Sequence, residues 1–166
     1  MGNSLLVKNN PREQIDKAYA DLREIVTNAV VSRIGRLWMW EGDGALAAFM
    51  LNDYSRMAIF AAIDILNEIF FYNKTKNPLS ADVKLRIAVN SGSIFYSSSN
   101  AKISKIDVIL KAILLESKAA APNSLVISES LAVSQDQSIL DIFSNTMKIT
   151  DTSEKYRIYH VNMGKD

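Results

Sequence analysis

Apolar residues recur along this chain with two periods, and the switches between them mark its elements. Ile15, Ala18, Leu22, Ile25, Val26 and Ala29 are spaced as one face of a helix. Asn10 reads as its N-cap, with Pro11 at the first helical position and Glu13 three residues after the cap, a variant of the capping box. The spacing predicts a helix from Pro11 to Ser32 that ends near Gly35. Two short apolar runs, Leu37 to Trp40 and Ala45 to Met50, flank Glu41-Gly42-Asp43-Gly44 and read as strand, tight turn, strand. A second helix, capped by Asp53 or Ser55, carries Met57, Phe60, Ala61, Ile63, Leu66, Ile69 and Phe70, and should stop before the polar run Asn73 to Pro78. Val83, Leu85, Ile87 and Val89 alternate with Lys84, Arg86, Ala88 and Asn90, the signature of a half-buried strand. A turn at Asn90 to Ser93 and a short strand Ile94 to Tyr96 follow. Beyond the polar stretch Ser97 to Lys102, the pattern predicts a helix Ile106 to Lys118, a strand Leu125 to Ser128 and a short helix Glu129 to Val133. A last strand pair, Thr146 to Thr150 and Tyr156 to Val161, is joined by the polar turn Asp151 to Lys155. Helices alternating with strands, some paired as hairpins, argue for an α/β sandwich: one mixed, largely antiparallel sheet with helices on one face. With no repeat or linker in the sequence, one domain spanning 1–166 is expected.

Composition removes several chemistries. There is no cysteine and a single histidine, His160, so disulfides, thiol nucleophiles and cysteine-rich zinc sites are excluded. Nineteen basic residues face eighteen acidic ones, a net charge of +1 that gives no electrostatic reason to expect nucleic acid or an anionic membrane as partner. The longest apolar run, Ala58 to Phe71, is interrupted by Asp64, Asn67 and Glu68 and reads as a core helix rather than a span. Leu5, Leu6 and Val7 are too few for a signal peptide, and Leu6 breaks the myristoylation pattern that Gly2 suggests. A cytoplasmic domain is the expectation.

Five stretches, in order, resemble the catalytic domain of class III adenylate and guanylate cyclases. They are Gly35-Arg36 leading through Glu41-Gly42-Asp43-Gly44-Ala45-Leu46-Ala47-Ala48-Phe49; Leu85-Arg86-Ile87-Ala88-Val89-Asn90-Ser91-Gly92; Ile106 to Glu116; Ala121 to Glu129; and Tyr156 to Val161. The resemblance implies the ferredoxin-like palm of the nucleotidyl cyclases. It also implies their chemistry, attack of a ribose 3′ oxygen on the α-phosphate of ATP or GTP, helped by two Mg²⁺ or Mn²⁺ ions on two aspartates. An asparagine and an arginine contributed across a dimer would orient the ribose and stabilise charge.

Matched residue by residue, most of that machinery is missing. Asp43 falls on the second metal aspartate, with Gly42 and Gly44 beside it as backbone that a nucleotide could approach. The first metal aspartate falls at or before Met1, and the first nine residues contain no acid, so the resemblance lacks its first strand. Met39 occupies the base-reading lysine position, and Leu110 and Leu114 occupy those of the asparagine and the arginine. No catalytic residue is therefore assigned. Losing one charge-stabilising group costs about a hundred- to a thousandfold in rate, and a lone carboxylate is a poor Mg²⁺ site.

The expectation is a degenerate, catalytically silent cyclase-like domain that acts by dimerising, with itself or with another cyclase-type domain, in cyclic nucleotide signalling. No cofactor is expected unless it is active, when Mg²⁺ or Mn²⁺ would be needed. An active cyclase completed by a partner, and a nucleotide sensor binding ATP or GTP without turnover, are the alternatives. Leu110 and Leu114, four apart on one helical face, are the candidate dimer or filled-pocket face. Plainer readings stand beside these. Asp-Gly is ordinary hairpin chemistry, Asp107 suits a first helical turn, and Arg86 reads as a solvated charge. Trp38 and Trp40 should divide between the core and a helix or partner.

Overall fold

The computed structural model describes residues 9–50, 53–93 and 107–161. They fall into two compact units, the first ending at Leu85 and the second beginning at Arg86. Helices mix with antiparallel and parallel strand pairs, the α+β architecture that the sequence predicts. Among the described residues the strands form two sheets rather than one: a two-stranded hairpin in the first unit and a four-stranded sheet in the second. The expected strand Ile94 to Tyr96 lies outside the described residues. No helix among them is long and apolar enough to cross a membrane.

The first unit contains α1 (Arg12–Ser32), β1 (Arg36–Glu41), β2 (Gly44–Ala48) and α2 (Tyr54–Thr75). Pro11, not Asn10, is the N-cap of α1, and it offers no side-chain cap bond. The Asn10 carboxamide oxygen instead accepts from the Ser80 N–H at 2.8 Å. At the other end the Gly35 N–H donates to the Val30 carbonyl at 2.8 Å and the Ile34 N–H to the Val31 carbonyl at 3.0 Å. This is a Schellman motif, which normally places glycine at the left-handed position. Here that position is Ile34, with φ of 61°. Gly35, one residue on, serves packing instead, because a Cβ there would lie 2.4 Å from the Phe49 ring.

Helix α2 buries Ala58, Ile59, Ala61, Ala62, Ile65, Leu66, Ile69 and Tyr72. Arg33 joins it to the end of α1 through a 2.8 Å ion pair with Asp64. The Tyr72 phenol is pushed up to about 12 by burial and, secondarily, by the negative charge of Asp21 on α1. Asp53 is the N-cap as expected, but in a left-handed conformation and without a side-chain cap bond. The helix does not stop before Asn73; it runs on to Thr75. The Asn73 side chain explains this, since its amide donates to the Val83 carbonyl and its oxygen accepts from the Val83 N–H, both at 2.8 Å. Val83 is thereby paired with a helix side chain and not with a strand.

In the second unit β3 (Arg86–Val89), β4 (Ser124–Ser128), β5 (Met147–Lys148) and β6 (Lys155–His160) form a sheet in the order β3-β4-β6-β5. β3 runs parallel to β4, and both remaining pairs are antiparallel. The predicted strand from Val83 is thus shorter than expected, because only Arg86 to Val89 find ladder partners. Every residue of β4 is buried, and its two serines are satisfied: Ser124 donates to the Ala121 carbonyl at 2.7 Å, and Ser128 caps α4 (Glu129–Ala132) by accepting from the Leu131 N–H. α5 (Gln137–Leu140) was not expected from sequence.

Helix α3 (Asp107–Lys118) lies on this sheet. Its Leu115 is fully buried in a cluster with Val126, Ile149 and Tyr156, flanked by Leu114, Ala88 and Ile158. Two ion pairs hold it: Arg86 of β3 to Glu116 at 2.7 Å, and Lys111 to Glu154 at 2.6 Å. Arg86 is therefore a partnered charge, not the solvated one that strand alternation implies.

Two predictions follow from this packing. Because a β-branched residue in the left-handed region carries about 1–2 kcal/mol of steric cost and Ile34 is 67% exposed, Ile34→Gly should raise the urea unfolding midpoint; an unchanged or lower midpoint would contradict the strained turn. The Glu129 carboxyl is held below its ordinary 4.5 chiefly by hydrogen bonds from Arg157, against the opposing effect of burial. Stability from this pair is present above pH 4.5 and is lost as pH falls through the lowered value. Glu129→Gln should thus be less stable than wild type near neutrality, with the gap closing in acid.

Candidate functional site

The hairpin positions Asp43. Glu41 pairs with Gly44, so the loop is the two residues Gly42 and Asp43, and Gly42 alone takes the left-handed φ, 57°. The turn is centred one residue earlier than an Asp43-Gly44 turn would be, and Gly44 opens β2. Positive φ only at the first central position is the pattern of a type II′ hairpin, where glycine is favoured for backbone reasons alone. The Trp40 indole N–H donates to the Gly42 carbonyl at 3.2 Å and braces the tip.

Register slips within β1, between Leu37 and Met39, so Trp38 is an extra residue against β2. Such a bulge breaks the regular alternation of side chains. Trp38 and Trp40 are both half-buried and Met39 is exposed, so neither tryptophan is a fully buried core residue, while Trp40 faces a helix as expected. The Arg23 guanidinium of α1 stacks over the Trp40 ring, 5.2 Å from its centroid.

Gly42 and Asp43 border an open depression whose other wall is the α1 stripe Asp16, Tyr19, Ala20 and Arg23. Asp16 and Arg23 were missed in the sequence. The signal was present as charged residues at i and i+7, Asp16 and Arg23, beside the apolar face of α1. The depression does not fit a two-metal centre. It offers two carboxylates, one of which has the Arg12 guanidinium 3.8 Å away, whereas Mg²⁺ demands several converging oxygens. Among the described residues no group of three or more His, Cys, Asp or Glu is placed to hold a metal.

The other candidate residues lie on α3, in the second unit. Leu110 is 48% exposed, whereas Leu114 is half-buried against the Leu115 cluster. Leu110 shares the outer surface with Ile113, 51% exposed, a residue the sequence reading passed over. Gly92, where a Cβ would meet Val108 at 2.5 Å, lets the chain after β3 pass close to this helix. His160 is exposed on β6.

No family profile matches the sequence, and neither does any curated protein. Solved structures do match. The dimeric guanylyl cyclase domain of the RhoGC fusion protein from the aquatic fungus Blastocladiella emersonii has a TM-score of 0.71 at 14% identity, covering 95% of this chain and 87% of that one. The guanylate cyclase domain of RhGC from Catenaria anguillulae, in complex with GTP, has a TM-score of 0.64 at 14% identity over 93% of this chain and 87% of that one. An adenylate/guanylate cyclase/hydrolase from Silicibacter pomeroyi has a TM-score of 0.62 at 18% identity over 89% and 85%. With the element order, the Gly42-Asp43 hairpin and the mixed sheet all in place, this chain has the fold of the class III adenylate and guanylate cyclase catalytic domains.

Proposed function

We propose that this chain is a cyclase-fold domain that does not turn over nucleotide and that acts by pairing with another domain in a cytoplasmic signalling protein. The outer surface of α3 carries the reading. That helix is where the resemblance calls for an amide and a guanidinium, and it bears Leu110, Ile113 and Leu114. Aliphatic side chains neither orient a ribose hydroxyl nor stabilise a developing negative charge. Asp43 keeps its turn, but a turn of this type needs Gly42 regardless of any ligand.

Two missing charge-stabilising groups at about a hundred- to a thousandfold each remove roughly ten-thousandfold or more from the rate. Purified chain incubated with ATP or GTP and Mn²⁺ or Mg²⁺ should therefore form no cyclic nucleotide above the protein-free control, and clear product formation would refute the proposal. Calorimetric titration with either nucleotide should give no heat beyond dilution. A saturating isotherm would reassign the chain as a nucleotide sensor.

A further inference from the structure

Ile34 is an anomaly that the packing of its own unit does not explain. A helix end favours glycine at this left-handed position, yet the chain carries an isoleucine there at φ 61° and leaves it 67% exposed. Backbone strain of this kind clusters at functional positions. Its neighbours share the exposure. Val31, three residues back on the last turn of α1, is 60% exposed, and Met50, two residues beyond β2, is 65% exposed. Gly35 abuts the Phe49 ring and Arg36 faces Ala48 across the hairpin, so Ile34 and Met50 sit together at its open end. Asn10 bonds to Ser80 while Arg33 meets Phe60 and Asp64, so α1 and α2 run antiparallel and the end of α1 stands beside the first turns of α2. Tyr54, the first residue of α2, is exposed at this same end of the unit.

The charges around this apolar end are unbalanced. Asp64 is held by Arg33 at 2.8 Å and Asp53 by Arg56 at 3.4 Å. Arg36 is exposed and has no carboxylate partner among the described residues. The rim is therefore rich in arginine with its acids already neutralised, which complements an anionic surface locally, although a net charge of +1 gives the chain as a whole no such attraction.

Shape decides the kind of partner. Side chains this exposed form a convex knob and not a groove, and a protein partner would need a hollow to match it. A fluid bilayer interface accepts a convex shape as it is, taking aliphatic side chains below the headgroups while a guanidinium stays among the phosphates. A tyrosine suits the same depth. We propose that Val31, Ile34 and Met50 form a lipid-contacting knob by which the first unit rests on an anionic membrane surface, with Arg36 at the headgroups. Three partly exposed side chains offer no more apolar area than a single acyl chain, so binding is reversible, on the order of 10⁴ M⁻¹ or less.

Co-sedimentation of the purified chain with vesicles tests this, using phosphatidylcholine alone and phosphatidylcholine with phosphatidylserine, while circular dichroism confirms that each variant is folded. Wild type should pellet with the phosphatidylserine vesicles at low salt, and less with phosphatidylcholine alone. Ile34→Gly is the decisive variant. The strained turn makes it more stable than wild type, yet the loss of apolar area should weaken its vesicle binding several-fold, whereas a role confined to folding would leave that binding unchanged. Val31→Asp should lower binding about tenfold or more, and Arg36→Glu should remove the preference for phosphatidylserine. Wild type that stays in the supernatant at millimolar lipid overturns the proposal in favour of a protein partner. Binding that survives both Ile34→Gly and Val31→Asp overturns it as well, since charge alone would then carry the adhesion. None of these readouts depends on nucleotide turnover, so they stand or fall apart from the catalytically silent reading.

Discussion

The fixed rotation of α3 is the constraint from which the functional argument descends. Leu115, fully buried among Val126, Ile149 and Tyr156, sets which side of the helix meets the sheet. The short ion pairs to Arg86 and Glu154 lock that choice from both flanks. Surface ion pairs contribute little to stability singly, but these are half-buried and span separate elements, so their main effect is positional. With the inner side settled, the chemistry of the outer side is settled too. It is aliphatic at Leu110 and Ile113.

The hairpin shows how much of a loop's geometry local causes can set. Gly42 and Asp43 form the tip, and the structure brings a second carboxylate, Asp16, to the same depression. Yet each part has a local cause. Gly42 takes a left-handed φ that the two-residue turn demands, Trp40 braces the tip through the Gly42 carbonyl, and Arg23 packs its guanidinium on Trp40. Asp16 lies on the solvent side that any amphipathic surface helix presents.

Much of the fold was legible in the sequence, and the failures share a physical origin. Periodicity placed α1, α2, α3 and the two hairpin strands, because burial of one face is written directly in residue spacing. Ends were harder, since polar side chains had unforeseeable partners elsewhere in the chain. Asn10 left its capping role for Ser80, and Asn73 took up the Val83 backbone and carried α2 past its predicted stop. Pairing was harder still: the strand expected from Val83 exists only where Ser124 to Ile127 lie alongside it. Of the candidate residues, Asp43 lies at the hairpin tip and Leu110 on the exposed side of α3, while Ile113 and Asp16 were not singled out. Spacing alone does not say which apolar position a neighbouring sheet leaves uncovered, or which polar one a hairpin tip approaches.

Leu110 and Leu114 were paired in the sequence reading because they stand four apart, yet the structure divides them. Leu114 is drawn toward the core cluster and Leu110 is left outside with Ile113. The division separates a filled pocket from an uncovered surface. If both leucines had filled a cavity, the replacement would serve only stability, and no large side chain would remain in solvent. Two aliphatic side chains about half exposed on a rigid helix gain nothing from water, and burial would return about 25 cal/mol for each square ångström removed from it. Leu110 and Ile113 therefore do not fill a pocket. The chemistry of these two side chains favours contact with another apolar surface.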